Sequence, residues 1–163
     1  DLLGKCKRKC KLVGGKVEEL DQIDDLDAEI TKIYPKAVRI VAHPSESGLG
    51  TVSITKGTNP HTLENIDLAI IKGELGVAEN GAVWITEDQF QVRVLPFITN
   101  DFILVLLKKN LCLHMHRAYE LIAARKQFFG LFISGPSKTA DIEQCLVMGA
   151  QGELSLTVFI LNQ

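Results

Sequence analysis

One segment, residues 134–139, carries side chains that together could bind an anion. It combines short hydroxyl residues, a glycine that permits close approach to its backbone, and a lysine. In chain order these residues are Ser134, Gly135, Pro136, Ser137, Lys138 and Thr139. Thr139 is a good N-cap residue, so N–H groups at the start of a following helix would face a ligand, and Lys138 would add a positive charge. The segment predicts a ligand-binding loop, although not a Walker A loop, because GxxxxGK[ST] is absent.

Two acidic residues follow and restrict what this loop would bind. Asp141 and Glu143 lie in the first turns of the predicted helix, where their charge favours the helix dipole but repels an incoming anion. A hydroxylated, carbonyl-bearing or mixed-charge ligand therefore suits the loop better than free phosphate does. Asp141 is the best single candidate for a polar contact. The alternative is structural: Ser137 or Thr139 caps the helix and the two acids only stabilise it.

Histidine and cysteine pairs elsewhere raise the question of metal binding. His114 and His116 alternate in sequence, and Cys6 and Cys10 are spaced to share one face of a helix. A zinc site needs further ligands, and none is close in sequence to either pair. We therefore expect no metal site, with the histidines at a half-exposed helix start and residues 1–11 forming a solvated segment.

Sequence motifs for two common enzyme classes are missing. The nucleophile elbow G-x-S-x-G does not occur, and neither does the dinucleotide fingerprint G-x-G-x-x-G. Their absence argues against an α/β-hydrolase and against a self-contained NAD or FAD oxidoreductase. We therefore expect no cofactor.

The elements that would position these residues alternate between strands and helices. Apolar runs rich in branched residues predict buried strands at 37–42, 67–72, 82–86, 102–107, 130–134 and 154–161, and a short strand is predicted at 16–20 after Gly14-Gly15. Apolar residues at helical spacing predict helices at 24–34, 113–128 and 140–148. This alternation predicts an α/β fold, with three layers (α/β/α), a mostly parallel sheet and helices on both faces.

Details of this arrangement follow from composition. Residues 102–107 form the most apolar run, so we expect the central strand there. Residues 92–94 are the expected hairpin partner of the strand at 82–86. Residues 43–64 are rich in Gly, Ser, Thr and Pro and are expected to be an exposed excursion.

Bulk properties narrow the classes of protein that fit. The chain has 163 residues, 46% of them hydrophobic and 23% charged, which is the composition of one globular domain. A net charge of −2 gives no electrostatic reason to expect nucleic acid or an anionic membrane as a partner. No apolar run reaches the ~20 residues that span a bilayer. The four cysteines suit a reducing compartment, so we expect a cytoplasmic protein with inert thiols.

Two stretches resemble one protein family. ISGPSKTADIE, residues 133–143, is similar to the signature of the LUD domain, the family of lactate-utilisation protein C, and GVAENGAVWIT, residues 76–86, resembles its glycine-rich segment. The looser match covers about residues 13–161. The resemblance implies a single LUD-like domain over 1–163, in which 1–12 is a partial or frayed N-terminal segment. It also implies a fold akin to the ribose-phosphate isomerase and CoA-transferase superfamily.

The resemblance to that superfamily makes Glu79, Asn80 and Gly81 candidate site residues. In CoA-transferases a Glu followed by Asn-Gly supplies the carboxylate that forms the acyl-CoA thioester, and these three residues are similar. A nucleophilic carboxylate also needs orienting partners. Asn-Gly is equally an ordinary turn dipeptide between two extended runs. Glu79 and Asp141 are therefore weak catalytic candidates, and lining a pocket is the simpler role for Glu79.

The resemblance implies an accessory protein of L-lactate and organic acid utilisation. As the resemblance implies, it would work beside partner proteins that hold iron–sulfur clusters. Electron transfer would then occur in those partners, since this chain has no C-x₂-C-x₂-C run of its own. Its site would bind a small organic acid or a phosphate- or CoA-bearing ligand where loops 76–81 and 134–143 face one another across a shared hollow at the tips of parallel strands. The alternatives are a stand-alone transferase or isomerase that uses Glu79 or Asp141, and a non-catalytic interaction module. Gln151 stands where the family has a histidine, which puts inherited activity in doubt.

Overall fold

The computed structural model describes residues 1–43, 45–125, 129–135 and 155–163 of the chain. Five helices and nine strands lie in these ranges, beside short 3₁₀ turns. In chain order they are α1 (Leu2–Leu12), β1 (Lys16–Leu20), α2 (Leu26–Ile33), β2 (Ile40–Ala42), β3 (Leu68–Lys72), β4 (Leu75–Val77), β5 (Ala82–Thr86), α3 (Glu87–Phe90), α4 (Leu95–Ile98), β6 (Asp101–Leu107), β7 (Leu111–Cys112), α5 (Met115–Ala123), β8 (Gly130–Ile133) and β9 (Ser155–Leu161). The predicted helix at 140–148 lies outside the described residues.

A five-stranded parallel sheet forms the centre of the fold. Its order is β1-β9-β6-β3-β2, and every neighbouring pair is parallel. β6 occupies the middle, as its unbroken apolar sequence predicts, and residues 102–106 are all buried. Strands covered on both faces need apolar side chains on both faces, which explains runs without alternation. The predicted α/β fold with a mostly parallel sheet is confirmed.

The two faces of this sheet are covered differently. On one face α2 places Leu26 and Ile30, both buried, against Ile70, Ile103 and the neighbouring strand residues. On the other face lies a second sheet, whose four strands have the order β7-β4-β5-β8. α5 packs on this second sheet through Ala118.

The second sheet corrects one pairing expected from the sequence. Residues 92–94 were the expected partner of β5, and that expectation is wrong. β5 instead pairs antiparallel with β4 on one side and β8 on the other, so both of its edges are occupied. Residues 92–94 lie in the turn between α3 and α4, where Leu95 and Pro96 begin a helix. Pro96 at the second position of α4 suits a helix start rather than a ladder.

The N-terminal segment is also different from the expectation. Residues 2–12 form α1, and Asp1 caps it by accepting hydrogen bonds from the backbone N–H groups of Leu3 and Gly4. Leu3, Cys6 and Cys10 are buried on one face of the helix. The expectation of a solvated segment is therefore wrong. Within the described ranges, no helix combines the length and apolar character that crossing a membrane would require.

Candidate functional site

The turn between β4 and β5 presents Glu79 and Asn80. Backbone bonds from Ala78 N to the Cys112 carbonyl (2.8 Å) and from Glu79 N to the Leu113 carbonyl (3.0 Å) fix it against the end of β7. Within the turn, the Asn80 side chain accepts a bond from Ala82 N at 3.0 Å. The Asn80-Gly81 dipeptide therefore forms the turn between β4 and β5, and the Glu79 carboxylate lies at the surface.

Glu79 has a partner that the sequence analysis did not find. Its Oε2 lies 2.8 Å from Nδ1 of His114, the residue that immediately precedes α5. The Glu79 side chain is 37% exposed and that of His114 is 57% exposed, so the pair is accessible to a ligand. The hydrogen bond orients the carboxylate, which is the condition that a nucleophile or a proton acceptor must meet.

The segment that begins at Ser134 meets the same turn. Ser134 donates its hydroxyl to the Asn80 carbonyl at 3.0 Å. The contact follows from register: Ile133 at the end of β8 pairs with Val83, so the chain that leaves β8 passes the turn that precedes β5. The two described residues of the second loop, Ser134 and Gly135, thus lie beside the first loop. They do so at the end of an antiparallel pair, however, and the expectation that they lie at the tips of parallel strands is wrong.

Two glycines bring this turn and this loop against α1. Gly81 has φ 72° and Gly135 has φ 76°, a region that favours glycine. A Cβ on Gly81 would lie 2.7 Å from Cys10 N, and a Cβ on Gly135 would collide with the Val13 carbonyl oxygen. The C-terminal end of α1 therefore fills the space beside both glycines, so α1 belongs to the architecture of the site.

The surrounding charges come mainly from the start of α5. Arg117 donates to Glu120 at 2.9 Å, and this bond holds the pKa of the Glu120 carboxyl below its usual range. His116 also contacts Glu120, at 3.3 Å. The pKa of the Cys112 thiol is raised, and burial is the main cause. The charge of Arg117 partly offsets this effect, and the charge of Glu79 adds to it. Acidic and basic groups thus lie together, an environment that suits the mixed-charge ligand expected from the sequence.

The remaining predicted site residues lie outside the described residues. They are Pro136, Ser137, Lys138, Thr139, Asp141 and Glu143, together with Gln151 at the position of the family histidine. The structure therefore places five of the predicted ligand-binding residues, namely Glu79, Asn80, Gly81, Ser134 and Gly135. It brings these five into one region and adds His114 to them.

Cys6 and Cys10 are both buried on one face of α1. Among the residues that the structure places, no group of three His, Cys, Asp or Glu side chains could hold a metal ion. Burial raises the pKa of the Cys6 thiol to about 11. Burial, and then the nearby Cys6, raise that of Cys10 to about 12. Both groups stay protonated near neutral pH and act as small apolar side chains.

Two contributions to the site escaped the sequence analysis. His114 pairs with a residue far away in the chain, and only the β4–β7 pairing brings them together. The role of α1 did leave a signal, because Leu3, Cys6 and Cys10 recur at helical spacing behind a capping Asp1. Counting the cysteines as apolar would have revealed that face.

Comparison with known proteins identifies the family to which the chain is similar. A family model described as LUD domain matches residues 15–161. Proteins named lactate utilization protein C are similar to this chain: that of Anoxybacillus flavithermus is 26% identical over 105 residues, covering 64% of this chain and 48% of the relative. That of Geobacillus thermodenitrificans is 26% identical over 132 residues, covering 77% and 52%. The chain spans about half the length of the curated relatives that it matches.

One solved structure shares the fold. A crystal structure of a DUF162 family protein from Deinococcus radiodurans superimposes with a TM-score of 0.76. The match covers 99% of this chain and 96% of that one at 17% sequence identity. At that identity the likeness supports the fold and leaves the chemistry to be argued from the residues.

Proposed function

The chain belongs to the LUD domain family, and from that membership we propose that it takes part in the utilisation of L-lactate or a related organic acid. The relatives named lactate utilization protein C support this role. We further propose that it works in the cytoplasm beside partner proteins that hold iron–sulfur clusters. Those partners would carry the electrons, since the chain has no C-x₂-C-x₂-C run.

The ligand site of this proposal is the region where loop 76–81 meets the segment that begins at residue 134. One observation supports it above the others: Ser134 and Asn80, from the two loops singled out in sequence, are joined by a 3.0 Å hydrogen bond. The ligand is a small organic acid or a phosphate- or CoA-bearing molecule. In this proposal the hydrogen bond from His114 occupies Oε2 of Glu79 and fixes the direction in which the carboxylate faces a ligand.

A thermal-shift screen tests the proposal. The panel contains L-lactate, pyruvate, sugar phosphates and acyl-CoAs. A ligand at about 100 times its Kd stabilises the folded chain by about 2.7 kcal/mol, which raises Tm by about 5 °C or more. We expect one class in the panel to do so. No shift with any member would favour the remaining alternative, a non-catalytic interaction module.

Two variants then locate the binding. Ser134→Ala removes the hydroxyl that joins the two loops, and His114→Gln removes the ring that faces Glu79. We expect each variant to raise the Kd of the ligand identified by the screen about tenfold, which is the effect of one lost hydrogen bond. His116→Gln is the matched control, because His116 is 88% exposed and contacts only Glu120 among the described ion pairs. Equal weakening by all three variants would place the ligand elsewhere.

A second candidate function rests on the Glu79–His114 contact. We propose as the alternative an enzyme of the CoA-transferase type, because a nucleophilic carboxylate needs an orienting partner and His114 is one. The Glu79 carboxylate would attack the thioester carbonyl of an acyl-CoA and release CoA as thiolate. The thiolate would then attack the glutamyl carbonyl of the resulting anhydride, releasing the free acid and leaving CoA on Glu79. Asp141 remains the other proposed acid–base residue.

Replacement of Glu79 separates the two functions. In the enzyme hypothesis, Glu79→Gln abolishes the transfer of CoA from an acyl-CoA to a free acid but leaves ligand binding within about twofold, because the amide keeps the size and polarity of the side chain. Mass spectrometry of the wild-type chain would also find CoA attached to the peptide that contains Glu79. Unchanged transfer in the variant would remove Glu79 as the nucleophile.

A further inference from the structure

A cavity of about 480 Å³ opens at the carboxyl ends of β2 and β3, away from the turn that carries Glu79. Its floor includes Val41 at the end of β2 and Ile71 near the end of β3. In open α/β sheets, ligands bind outside the carboxyl ends of parallel strands. None of the described residues that line it belongs to the 78–81 turn or to β8. Much of its lining, from Ser47 to Thr55, belongs to the stretch 43–64 that was expected from sequence to be only an exposed excursion.

The near wall of the cavity is held in place by hydrogen bonds. The backbone N–H groups of Thr51 and Val52 both donate to the Ile40 carbonyl, at 2.8 and 2.9 Å. Earlier in the loop, Asp27 of α2 accepts hydrogen bonds from the Ser47 hydroxyl at 2.6 Å and from Gly48 N at 2.9 Å. The loop is thus fixed to a strand and to a helix, which gives the cavity a preformed wall, as ligand pockets usually have.

The far wall presents two carboxamides. Gln89 donates its Nε2 to Glu74 at 3.4 Å, and Gln91 donates its Nε2 to the Asp88 carbonyl at 2.7 Å. These bonds fix the orientation of both carboxamides and leave their oxygens able to accept a bond from a ligand, while each nitrogen keeps its second N–H.

Gln91 also has a strained backbone. Its φ is 63° and its ψ −46°, and Val92 N bonds across it to the Phe90 carbonyl at 2.6 Å. This is the γ-turn with positive φ, which is rare for a residue with a side chain. Such strain persists where the surrounding structure imposes it, and it recurs at ligand sites. A glycine would adopt this backbone freely, so a glutamine at this position lowers the stability of the fold.

The described lining contains no Lys, Arg, Asp or Glu. Its polar members are His43, Ser47, Ser53, Thr55, Gln89 and Gln91. The His43 Nδ1 contacts Ser45, so Nε2 is the ring nitrogen left for a ligand. A phosphate or carboxylate in this cavity would lose hydration without gaining a Lys or Arg partner among the described lining residues. The aliphatic floor and the hydroxyl and carboxamide groups of the walls instead match an uncharged molecule.

We propose that this cavity is a ligand site separate from the Glu79 turn, and that it takes an uncharged small molecule with hydroxyl or amide N–H donors on an apolar frame. The volume is within the range of small-molecule pockets, about 300–1,000 Å³. The donors bond to the carboxamide oxygens of Gln89 and Gln91, and the apolar frame lies on Val41 and Ile71. Two sources share this chemistry: a nucleoside, and the diamide arm of pantetheine.

The test is a titration of the ¹⁵N-labelled chain with adenosine, uridine and pantetheine, followed by NMR. We expect at least one probe to give saturable shifts in the side-chain amides of Gln89 and Gln91 and in the backbone amides of residues 51–55. The Kd should change by less than about twofold between low and high salt, because a neutral ligand has no ionic contact to screen. The probe that saturates distinguishes the nucleoside source from the pantetheine source.

Two variants and a control complete the test. Gln91→Gly keeps the positive φ and removes the carboxamide, so we expect binding to weaken about tenfold while Tm is maintained or rises. Ser53→Trp places a large side chain at an exposed lining position and should abolish binding. Gly57→Ala is the control, since Gly57 is outside the lining and a Cβ there would meet nothing within 4 Å.

The outcomes decide the proposal in both directions. Saturable binding that is lost in Ser53→Trp, weakened in Gln91→Gly and unchanged in Gly57→Ala supports it. The absence of saturable shifts with all three probes overturns it, and so does any other pattern among the variants. His114→Gln should leave this binding unchanged, so a failure here is distinct from a failure of the proposed lactate-linked site.

Discussion

Gly81 and Gly135 are the residues that let separate parts of the chain meet at the candidate site. Each has a positive φ, and each abuts the C-terminal end of α1. At both positions a side chain would be unfavourable for two reasons: the positive φ disfavours a residue with a Cβ, and that Cβ would collide with α1 or the residue that follows it. Between them, the Ser134–Asn80 hydrogen bond ties the two loops together. The site geometry therefore depends on backbone contacts as much as on the polar side chains.

Gly81→Ala should destabilise the chain by about 2 kcal/mol or more, because positive φ costs a residue with a Cβ about 1–3 kcal/mol and the new methyl group adds a steric term. That methyl group would lie 2.7 Å from Cys10 N and 2.9 Å from Cys10 Cα, both backbone atoms that cannot rotate away. Urea denaturation measures the change. Gly57→Ala, in open space, should shift the unfolding free energy by less than about 0.5 kcal/mol. Equal effects of the two changes would contradict the close contact.

At the scale of elements, α1 shows where sequence reasoning stopped short. The buried face of this helix consists of one leucine and two cysteines, and the rest of the helix is mainly Lys, Arg and Gly. Periodicity judged on strongly apolar residues therefore missed it. The helix is fastened to β1 by an ion pair between Lys7 and Glu19. It also carries the two thiols whose pKa values are most clearly raised among the described groups.

These thiols predict a loss of stability at alkaline pH. Their pKa values are raised from 9.0 to about 11 for Cys6 and about 12 for Cys10, so the folded chain keeps protons that the unfolded chain releases. The stabilisation is present in full below pH 9 and is lost as the pH rises toward 11–12. The free energy of unfolding should fall by at most about 1.4 kcal/mol per pH unit for each thiol in that window.

A paired measurement isolates this effect from other titrating groups. The free energy of unfolding is measured from pH 8 upward for the parent chain and for the Cys6→Ala/Cys10→Ala double variant. The variant starts lower because it loses buried volume. Its curve should nevertheless be flatter above pH 9, and parallel curves would show that burial of the thiols contributes nothing.

Another element, the loop over the cavity, depends on one carboxylate. Asp27→Ala removes the acceptor of both the Ser47 hydroxyl and Gly48 N, leaving the buried Ser47 without that partner. We expect a loss of about 1–3 kcal/mol and faster amide hydrogen exchange at Gly48 and Leu49. Asp25→Ala, at the N-terminal end of the same helix, is the control, because Asp25 makes no side-chain capping bond. Unchanged exchange in Asp27→Ala would mean that the loop is held by its strand contacts alone.

At the scale of the whole molecule, the parallel sheet was predictable and the second sheet was not. The central parallel strands are apolar on both faces, so they appear in the sequence as continuous apolar runs that predict buried strands. β4 has three residues and β7 has two, which is too short for a periodic signal. The β4–β7 pairing nevertheless brings Glu79 to His114, so the part of the fold that sequence reasoning missed is the part that assembles the candidate site. Motif reasoning found Glu79 as a potential nucleophile and predicted His114 only as part of a half-exposed helix start, which is where it lies.

The central position of β6 leads to a prediction about the fold as a whole. Ile103 packs in the core that α2 covers, and Leu104 packs in the core beneath the second sheet; both side chains are fully buried. Ile103→Ala and Leu104→Ala should therefore each cost about 2–5 kcal/mol, the usual range for a large-to-small change in a core. Val38→Ala, at a residue that is 69% exposed, should change the unfolding free energy by less than about 0.5 kcal/mol. Urea denaturation of the three variants measures this, and a sheet covered on one face only would instead tolerate one of the two β6 changes.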